Sequence, residues 1–114
     1  MPLVVVNRGK QITEGDFCLL TNRLPKIIAG ALTCDNPDGK LTQADIEVWV
    51  RSADLHDIGS EKLQIVVFAG LYPERLANKV DRKKMIEDEI KKLLPPDIHG
   101  WVWVIMAESF FGEF

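Results

Sequence analysis

The residue with the clearest chemical potential is Pro2, which follows the first methionine and opens an apolar, β-branched segment at residues 3–6. A small second residue favours removal of Met1, and Pro2 would then carry a secondary amine with one exchangeable proton. At the start of a buried strand this amine would be partly desolvated. Desolvation lowers the pKa of an amine toward the range of a base that works at neutral pH. If Met1 is retained, the Pro2 nitrogen is an amide, and Pro2 simply begins a strand.

The remaining composition argues against several kinds of site. The 114 residues carry a net charge of −3, so the sequence offers no basic surface for nucleic acid or for an acidic membrane. Cys18 and Cys34 are too few and too isolated for a metal site or a disulfide framework, and we expect reduced thiols in a cytoplasmic protein. His56 and His99 have no partners at ligand spacing. Neither a phosphate-binding glycine loop nor a serine nucleophile motif is present. We therefore predict no metal and no cofactor.

The pattern of apolar residues predicts one α+β domain over residues 1–114, made of two β-α-β units at 1–54 and 63–107. The predicted strands cover residues 1–7, 46–52, 63–71 and 101–107. Thr13 and Asp16 are typical of a helix start. We expect a kink or break near Leu24, because Pro25 removes a backbone donor. The inner face predicted for the second helix comprises Leu76, Val80, Ile86, Ile90, Leu93 and Leu94.

The apolar pattern also predicts an oligomer. Right-handed crossovers place both helices on the same face of a four-stranded mixed sheet. The first, third and fourth predicted strands nevertheless carry apolar residues on both faces, which is typical of a sheet that is buried twice. Trp101 and Trp103 lie on one face of the fourth strand, and Val102 and Val104 lie on the other. The helices can cover only one of these faces, so the apolar residues of the other face have no partner within the chain. A soluble monomer rarely exposes so large an apolar patch. We expect copies of the chain to bury it.

Three segments carry a resemblance to a known family. They are Met1-Pro2 with its strand, the turn 70–75 with the sequence Gly-Leu-Tyr-Pro-Glu-Arg, and Trp103-Val104 with Glu108 near the end of the chain. With the order of elements, they resemble the tautomerase superfamily, which includes 4-oxalocrotonate tautomerase, 5-carboxymethyl-2-hydroxymuconate isomerase, macrophage migration inhibitory factor and cis-3-chloroacrylic acid dehalogenase. The resemblance implies a homotrimer and a cofactor-independent proton transfer on a small keto-enol carboxylate. From the net charge, and because no stretch approaches the roughly 18 apolar residues of a membrane helix, we expect neither a membrane nor a nucleic acid as partner.

The resemblance also implies roles for particular residues. Pro2 matches the catalytic proline, and Arg75 matches an arginine at the strand-to-helix turn, where a guanidinium fork suits a carboxylate. Arg75 is otherwise a surface residue of a first helical turn beside Glu74. Tyr72 lines the site or packs in the turn. Arg8 and Arg51 are weaker candidates for substrate binding, each able to form an ion pair instead, and Arg51 could reach a neighbouring subunit's site.

Departures from the dehalogenase branch leave alternatives open. Ile27 and Ile28 stand where that branch has a histidine, and Ile105 stands where it has a tyrosine. Glu113 resembles its water-activating carboxylate, so a dehalogenase or hydratase-type lyase remains an alternative to a tautomerase. A non-catalytic homotrimer is the third hypothesis, and it applies if Met1 is retained. We expect the aromatic tail residues Phe110, Phe111 and Phe114 to pack on a neighbouring subunit or to form the wall of a pocket.

Overall fold

The computed structural model describes residues 2–59, 62–108 and 112–114. Its strands are β1 (Leu3–Asn7), β2 (Glu47–Arg51), β3 (Leu63–Gly70) and β4 (Gly100–Ala107), and its helices are α1 (Glu14–Leu32), α2 (Pro73–Ala77) and α3 (Lys79–Leu93). The four strands form one mixed sheet in the order β2-β1-β3-β4. β1 pairs parallel with β2, β3 pairs parallel with β4, and the two central strands are antiparallel. The α+β architecture predicted from the sequence is confirmed.

The hydrophobic core lies between one face of the sheet and the helices. Alternate residues of the two central strands point into it, and the apolar face of α1 covers them, as expected for a strand period of two and a helix period of 3.6. The buried strand and helix residues at its centre are Val4, Val6, Ile65, Val67, Leu20, Leu24 and Ile28. One face of the sheet and the buried apolar residues of α1 and α3 thus form most of the interior of the single chain.

Helix α1 is continuous through Pro25, so the predicted break is absent. Proline removes one backbone hydrogen bond from a helix interior, but Leu24 and Ile28 on either side of it are fully buried. Packing of both turns against the sheet therefore holds the helix together where propensity alone would end it. The helix begins as predicted, with the Thr13 hydroxyl accepting the Asp16 backbone N–H at 3.2 Å.

The inner face predicted for the second helix is partly wrong. That helix is divided at Asn78 into α2 and α3, and Leu76 and Val80 are 47% and 65% exposed in the single chain. Ile86 and Ile90 are buried as predicted. The inward positions of the first turns are instead occupied by Arg75 and Arg82, which are both buried. The stripe 75, 82, 86, 90 faces the core because the end of α1 requires hydrogen-bond donors, as described below.

The other face of the sheet is open in the single chain. The strand register aligns side chains into rows that cross this face, and we call the surface formed by them the open face. The first row is Glu47, Leu3, Phe68 and Ile105; the second is Trp49, Val5, Val66 and Trp103; the third is Arg51, Asn7, Gln64 and Trp101. Trp49 and Trp103 are each 56% exposed. The predicted second apolar face therefore exists, and among the described residues no helix covers it.

The third row of the open face, which contains Asn7 and Gln64, includes a buried acceptor without a hydrogen-bond partner among the described residues. The Asn7 side-chain N–H donates to the Gln64 carboxamide oxygen at 3.4 Å. Asn7 is itself buried, and its Oδ1 has no hydrogen-bond partner in the part of the chain that is described. Buried acceptors are normally paired.

Among the described residues, no helix is long and apolar enough to cross a membrane.

Candidate active site

Pro2 lies buried at the end of the sheet where β3 and β4 finish. Its carbonyl oxygen accepts the Glu47 backbone N–H at 3.2 Å, so the pairing of β1 with β2 extends to Pro2. Leu3 is paired with Phe68, and Gly70 is paired with Ala107, which places the carboxyl ends of β3 and β4 beside Pro2. We call this the Pro2 end of the sheet. The sheet register, rather than a loop, fixes the position of this proline.

The surface beside Pro2 on the open face is apolar with a carboxylate at its margin. Phe68 and Ile105 are both more than 40% exposed there. Glu47 occupies the β2 edge of the same row, and its carboxylate accepts the Trp49 indole N–H at 2.9 Å. Phe68 and Glu47 are not among the site residues predicted from the sequence. The available signal was their alternation within strands, since every second residue of a strand shares a face.

Arg75 lies close to the strand ends but is engaged with the backbone. Its guanidinium donates to the carbonyl oxygens of Leu32 at 2.6 Å, Gly70 at 2.9 Å and Gly39 at 3.0 Å. The residue is only 2% exposed, and this burial lowers the pKa of Arg75 below its ordinary value. In the single chain Arg75 therefore joins the end of α1, the end of β3 and the loop at Gly39. Its role as a carboxylate ligand remains a prediction.

Tyr72 packs against Arg75. The Tyr72 hydroxyl donates to the Asp38 carbonyl oxygen at 3.1 Å, and the Arg75 guanidinium carbon lies 4.8 Å from the ring centroid. A cation over an aromatic face is attracted by the negative potential of the ring. Tyr72 thus closes the turn over the loop at Asp38.

The structure does not bring Arg8 and Arg51 to the Pro2 of their own chain. Both lie at the opposite end of β1 and β2, about 17 Å (Arg51) and about 20 Å (Arg8) from Pro2 along the strand direction at 3.3–3.4 Å per residue. Arg8 pairs with Glu14 at 2.7 Å and lies over the Phe17 ring. Arg51 pairs with Asp57. In a single chain these two arginines can contribute to ion pairs but not to a site at Pro2.

The tail positions are only partly described. Glu113 and Phe114 are exposed in the single chain. The predictions made for Phe110 and Phe111, and the question of whether Met1 is retained, concern residues outside those that the structure describes. Glu113 therefore stays a predicted site residue with no contact that tests it.

Two cavities have linings that do not include Pro2. The larger, of about 840 Å³, is at the opposite end of the sheet, between α3 and β4. The smaller, of about 340 Å³, is lined by residues 33–35 and 40–42 together with Glu74. No cluster of three potential metal ligands occurs among the described residues. In the part of the chain that the structure describes, a buried proline thus lies beside an open surface.

No protein-family model and no curated protein sequence matches the chain significantly. Solved structures match almost its whole length. Malonate semialdehyde decarboxylase, a protein with decarboxylase and hydratase activities, has a TM-score of 0.63 at 16% identity and covers 97% of this chain and 91% of its own. A fused 4-OT wild-type asymmetric trimer has a TM-score of 0.64 at 16% identity and covers 97% of this chain and 91% of its own. Leishmania major MIF2 has a TM-score of 0.60 at 14% identity and covers 98% of this chain and 93% of its own.

This chain has the tautomerase fold. At these identities the likeness establishes the fold and not the reaction. It nevertheless agrees with the resemblance based on Met1-Pro2, the turn 70–75 and the order of elements. One of the matching structures is a trimer by name.

Proposed function

We propose that this protein is a cofactor-independent tautomerase or isomerase that moves a proton on a small keto-enol carboxylate through Pro2. The observation that carries the proposal is the placement of Pro2, which is buried at the start of a central strand beside the apolar open face. With Met1 removed, the neutral Pro2 amine would take the enol hydroxyl proton of the substrate. The protonated amine would then return a proton to the carbon of the enol, so that no net proton is consumed.

The proposal includes a homotrimer. The support is the open face, whose central row contains Trp49 and Trp103, both more than half exposed in one copy. A solved structure with the same fold is a trimer, and closing three open faces toward one another would remove this apolar surface from water. The site would then be enclosed at subunit boundaries.

The substrate carboxylate needs a cation, and the three candidate arginines differ in how near they lie to Pro2. Arg8 and Arg51 lie at the far end of the sheet. Arg75 lies at the Pro2 end, where it is buried and donates to three carbonyls of its own chain. A guanidinium has five N–H donors, and we propose that the remaining donors of Arg75 bind the carboxylate while Tyr72 packs beside it.

The test is the ketonisation of phenylenolpyruvate and of 2-hydroxymuconate, followed by ultraviolet absorbance, on protein whose intact mass shows that Met1 is absent. We expect Pro2→Ala to lower kcat/KM by about 10² or more, the range of general acid–base catalysis. Pro25→Ala, which changes a proline within α1, serves as the matched control and should keep its activity. Equal turnover by Pro2→Ala and the unchanged protein would remove the proline mechanism.

A second candidate function is a hydratase-type lyase, favoured by the similarity to malonate semialdehyde decarboxylase with its hydratase activity. Protonated Pro2 would act as an acid, and a carboxylate such as Glu113 would direct water. Turnover of a 3-haloacrylate or an acetylenic acid that is lost in Glu113→Gln, without turnover of the enols, would favour this candidate. A chain that retains Met1 and turns over none of these compounds would leave a non-catalytic homotrimer.

A further inference from the structure

The larger cavity is a groove at the edge of the sheet, which we call the edge groove. It runs between the second half of α3 and strand β4, and its apolar wall includes Ile90, Leu94 and Ile98. Lys91 and His99 also line it, and the nearby Glu87 carboxylate is engaged by Lys83 at 2.5 Å. The edge groove is therefore apolar inside with basic groups at its margin, and it lies at the end of the sheet away from Pro2.

The complementary feature is the turn after β2, residues 54–59, which we call the apolar loop. The Asp57 carboxylate accepts the Asp54 backbone N–H at 2.7 Å and also binds the Arg51 guanidinium. The His56 backbone N–H donates to the Asp54 side chain at 2.9 Å. These bonds define the turn, yet Leu55 is 86% exposed and Ile58 is 99% exposed. Two large aliphatic side chains thus stand in solvent on a hydrogen-bonded turn.

The strand order places the apolar loop and the edge groove where two copies would meet. β2 is one edge of the sheet and β4 is the other. The loop leaves the carboxyl end of β2, and the groove lies at the amino end of β4, so both are at the end away from Pro2. In a closed ring of head-to-tail contacts, one edge of each copy faces the opposite edge of the next. If the rotation axis of the ring runs parallel to the strands, the apolar loop of one copy and the edge groove of the next lie at the same position along that axis.

We propose that the apolar loop of one copy docks in the edge groove of the next, with Leu55 and Ile58 against Leu94 and Ile98. The loop carries Asp54 and Asp57, and Arg51 neutralises Asp57, so Asp54 is left to face the basic margin of the groove at Lys91. This inference rests on the proposed homotrimer and specifies its contact. It also fixes Arg51, which is bonded to the docked loop, at a subunit boundary.

Disulfide trapping tests the contact. Ile58→Cys and Leu94→Cys are combined in one chain with Cys18→Ser, which removes the exposed native thiol, while the buried Cys34 is kept. Because the contact runs head to tail, mild oxidation should produce covalent dimers and trimers that reduction reverses. The matched control combines Ile58→Cys with Val80→Cys, an exposed apolar position in the first turn of α3, and should remain uncoupled.

The outcomes separate this inference from the proposed function. Trimers in sedimentation that retain turnover but give no covalent species with Leu94→Cys would overturn the docking and leave the enzyme intact. Efficient coupling of Leu94→Cys to Phe114→Cys in place of Ile58→Cys would assign the groove to the tail of the next copy and would also overturn it. A monomer by sedimentation would remove the trimer and the docking together.

A charge substitution provides a second measurement that does not depend on oxidation. Ile58→Asp should raise the dissociation constant of assembly at least tenfold, because it places a carboxylate in the apolar wall of the groove. Val80→Asp is the control with a similarly exposed aliphatic residue, and its assembly should be unchanged. An unchanged dissociation constant for Ile58→Asp would contradict the docking even if disulfides form.

Discussion

Two buried arginines complete the end of helix α1. The last turn of this helix contains no basic residue, and its carbonyl oxygens lack partners within the helix. The Arg82 guanidinium donates to the carbonyls of Ala31 at 3.0 Å and Thr33 at 2.8 Å, and Arg75 binds that of Leu32. Two side chains from the second β-α-β unit thus hold the helix of the first.

The first prediction concerns Arg75. We expect Arg75→Lys to lower the free energy of unfolding by about 2–3 kcal/mol, because an ammonium cannot reproduce the planar fork and leaves buried carbonyls unpaired. Urea denaturation measures the change. Arg23→Lys, at an exposed position of α1, is the control and should stay within about 0.5 kcal/mol of the unchanged protein. An unaltered stability with a raised KM would instead support Arg75 as a substrate ligand.

The second prediction concerns acid and the apolar loop. The Asp54 backbone N–H, together with the Arg51 guanidinium, lowers the pKa of Asp57 below the ordinary value of 3.8. A carboxyl with a lowered pKa in the folded state contributes stability above its unfolded pKa, and this contribution is lost as pH falls through the folded pKa. The turn should therefore persist at neutral pH and open only below about pH 3.8.

Hydrogen exchange of the amides in residues 54–59 measures this opening. Asp57→Asn should show fast exchange already at neutral pH, since it lacks the charge that binds Arg51. Protection that is lost well above pH 3.8 in the unchanged protein would contradict the role given to Asp57.

At the scale of elements, the two strands β3 and β4 approach each other closely at their first residues. A side chain at Gly100 would place its Cβ 2.4 Å from the Leu63 carbonyl oxygen, and a backbone atom cannot move aside as a flexible side chain can. The absence of a side chain at Gly100 is therefore a condition for the parallel pairing of β3 with β4, which also forms the floor of the edge groove.

The third prediction compares two glycine substitutions. Gly100→Ala should destabilise the protein by about 1–3 kcal/mol through overpacking. Gly30→Ala, where no atom lies within 4 Å of an added Cβ, should stabilise α1 by about 0.5–1 kcal/mol, because alanine is a better helix former than glycine. Thermal unfolding of both variants measures the contrast. Equal shifts in Tm would show that the close approach at Gly100 relaxes freely.

At the scale of the whole molecule, the open face is the surface best suited to contact with another chain. Its rows of tryptophan, phenylalanine and β-branched residues lie between two edge strands that have no partner on their outer side among the described residues. Such a surface combines an apolar patch with free backbone groups, both of which favour contact with another chain.

The fourth prediction is that Trp103→Lys separates the subunits. Trp103 lies in the central row of the open face, and a charge there would have to be buried in any assembly that covers this face. We expect the dissociation constant of assembly to rise about 100-fold, as for a central interface residue. Sedimentation velocity across a range of concentrations measures it. Leu19→Lys, on the helical side of the chain, should assemble normally, and a Trp103→Lys trimer would place the interface elsewhere.

Particular residues show how far the sequence could be interpreted. Alternation in the strands was sufficient to predict the sheet with one covered and one open apolar face, because side chains of a strand alternate strictly. The stripe of Leu76 and Val80 was assigned to the core on helical periodicity, but the buried stripe contains Arg75 and Arg82. A prediction from helical periodicity uses only the hydropathy of residues in one segment. It contains no information on backbone carbonyls of a distant helix that need hydrogen-bond donors.

The amino-acid pattern by itself determined the order of elements, the single layer of helices and the surplus of apolar sheet, because these follow from local periods and from residue types. Only the tertiary structure decided that Arg75 serves the end of α1 and that Arg8 and Arg51 lie about 17–20 Å along the strands from their own Pro2. The physical reason is that strand register and direction set distances between residues far apart in the chain. The unpaired carbonyl oxygens at the end of a helix are likewise satisfied by donors that are near in space but distant in the sequence.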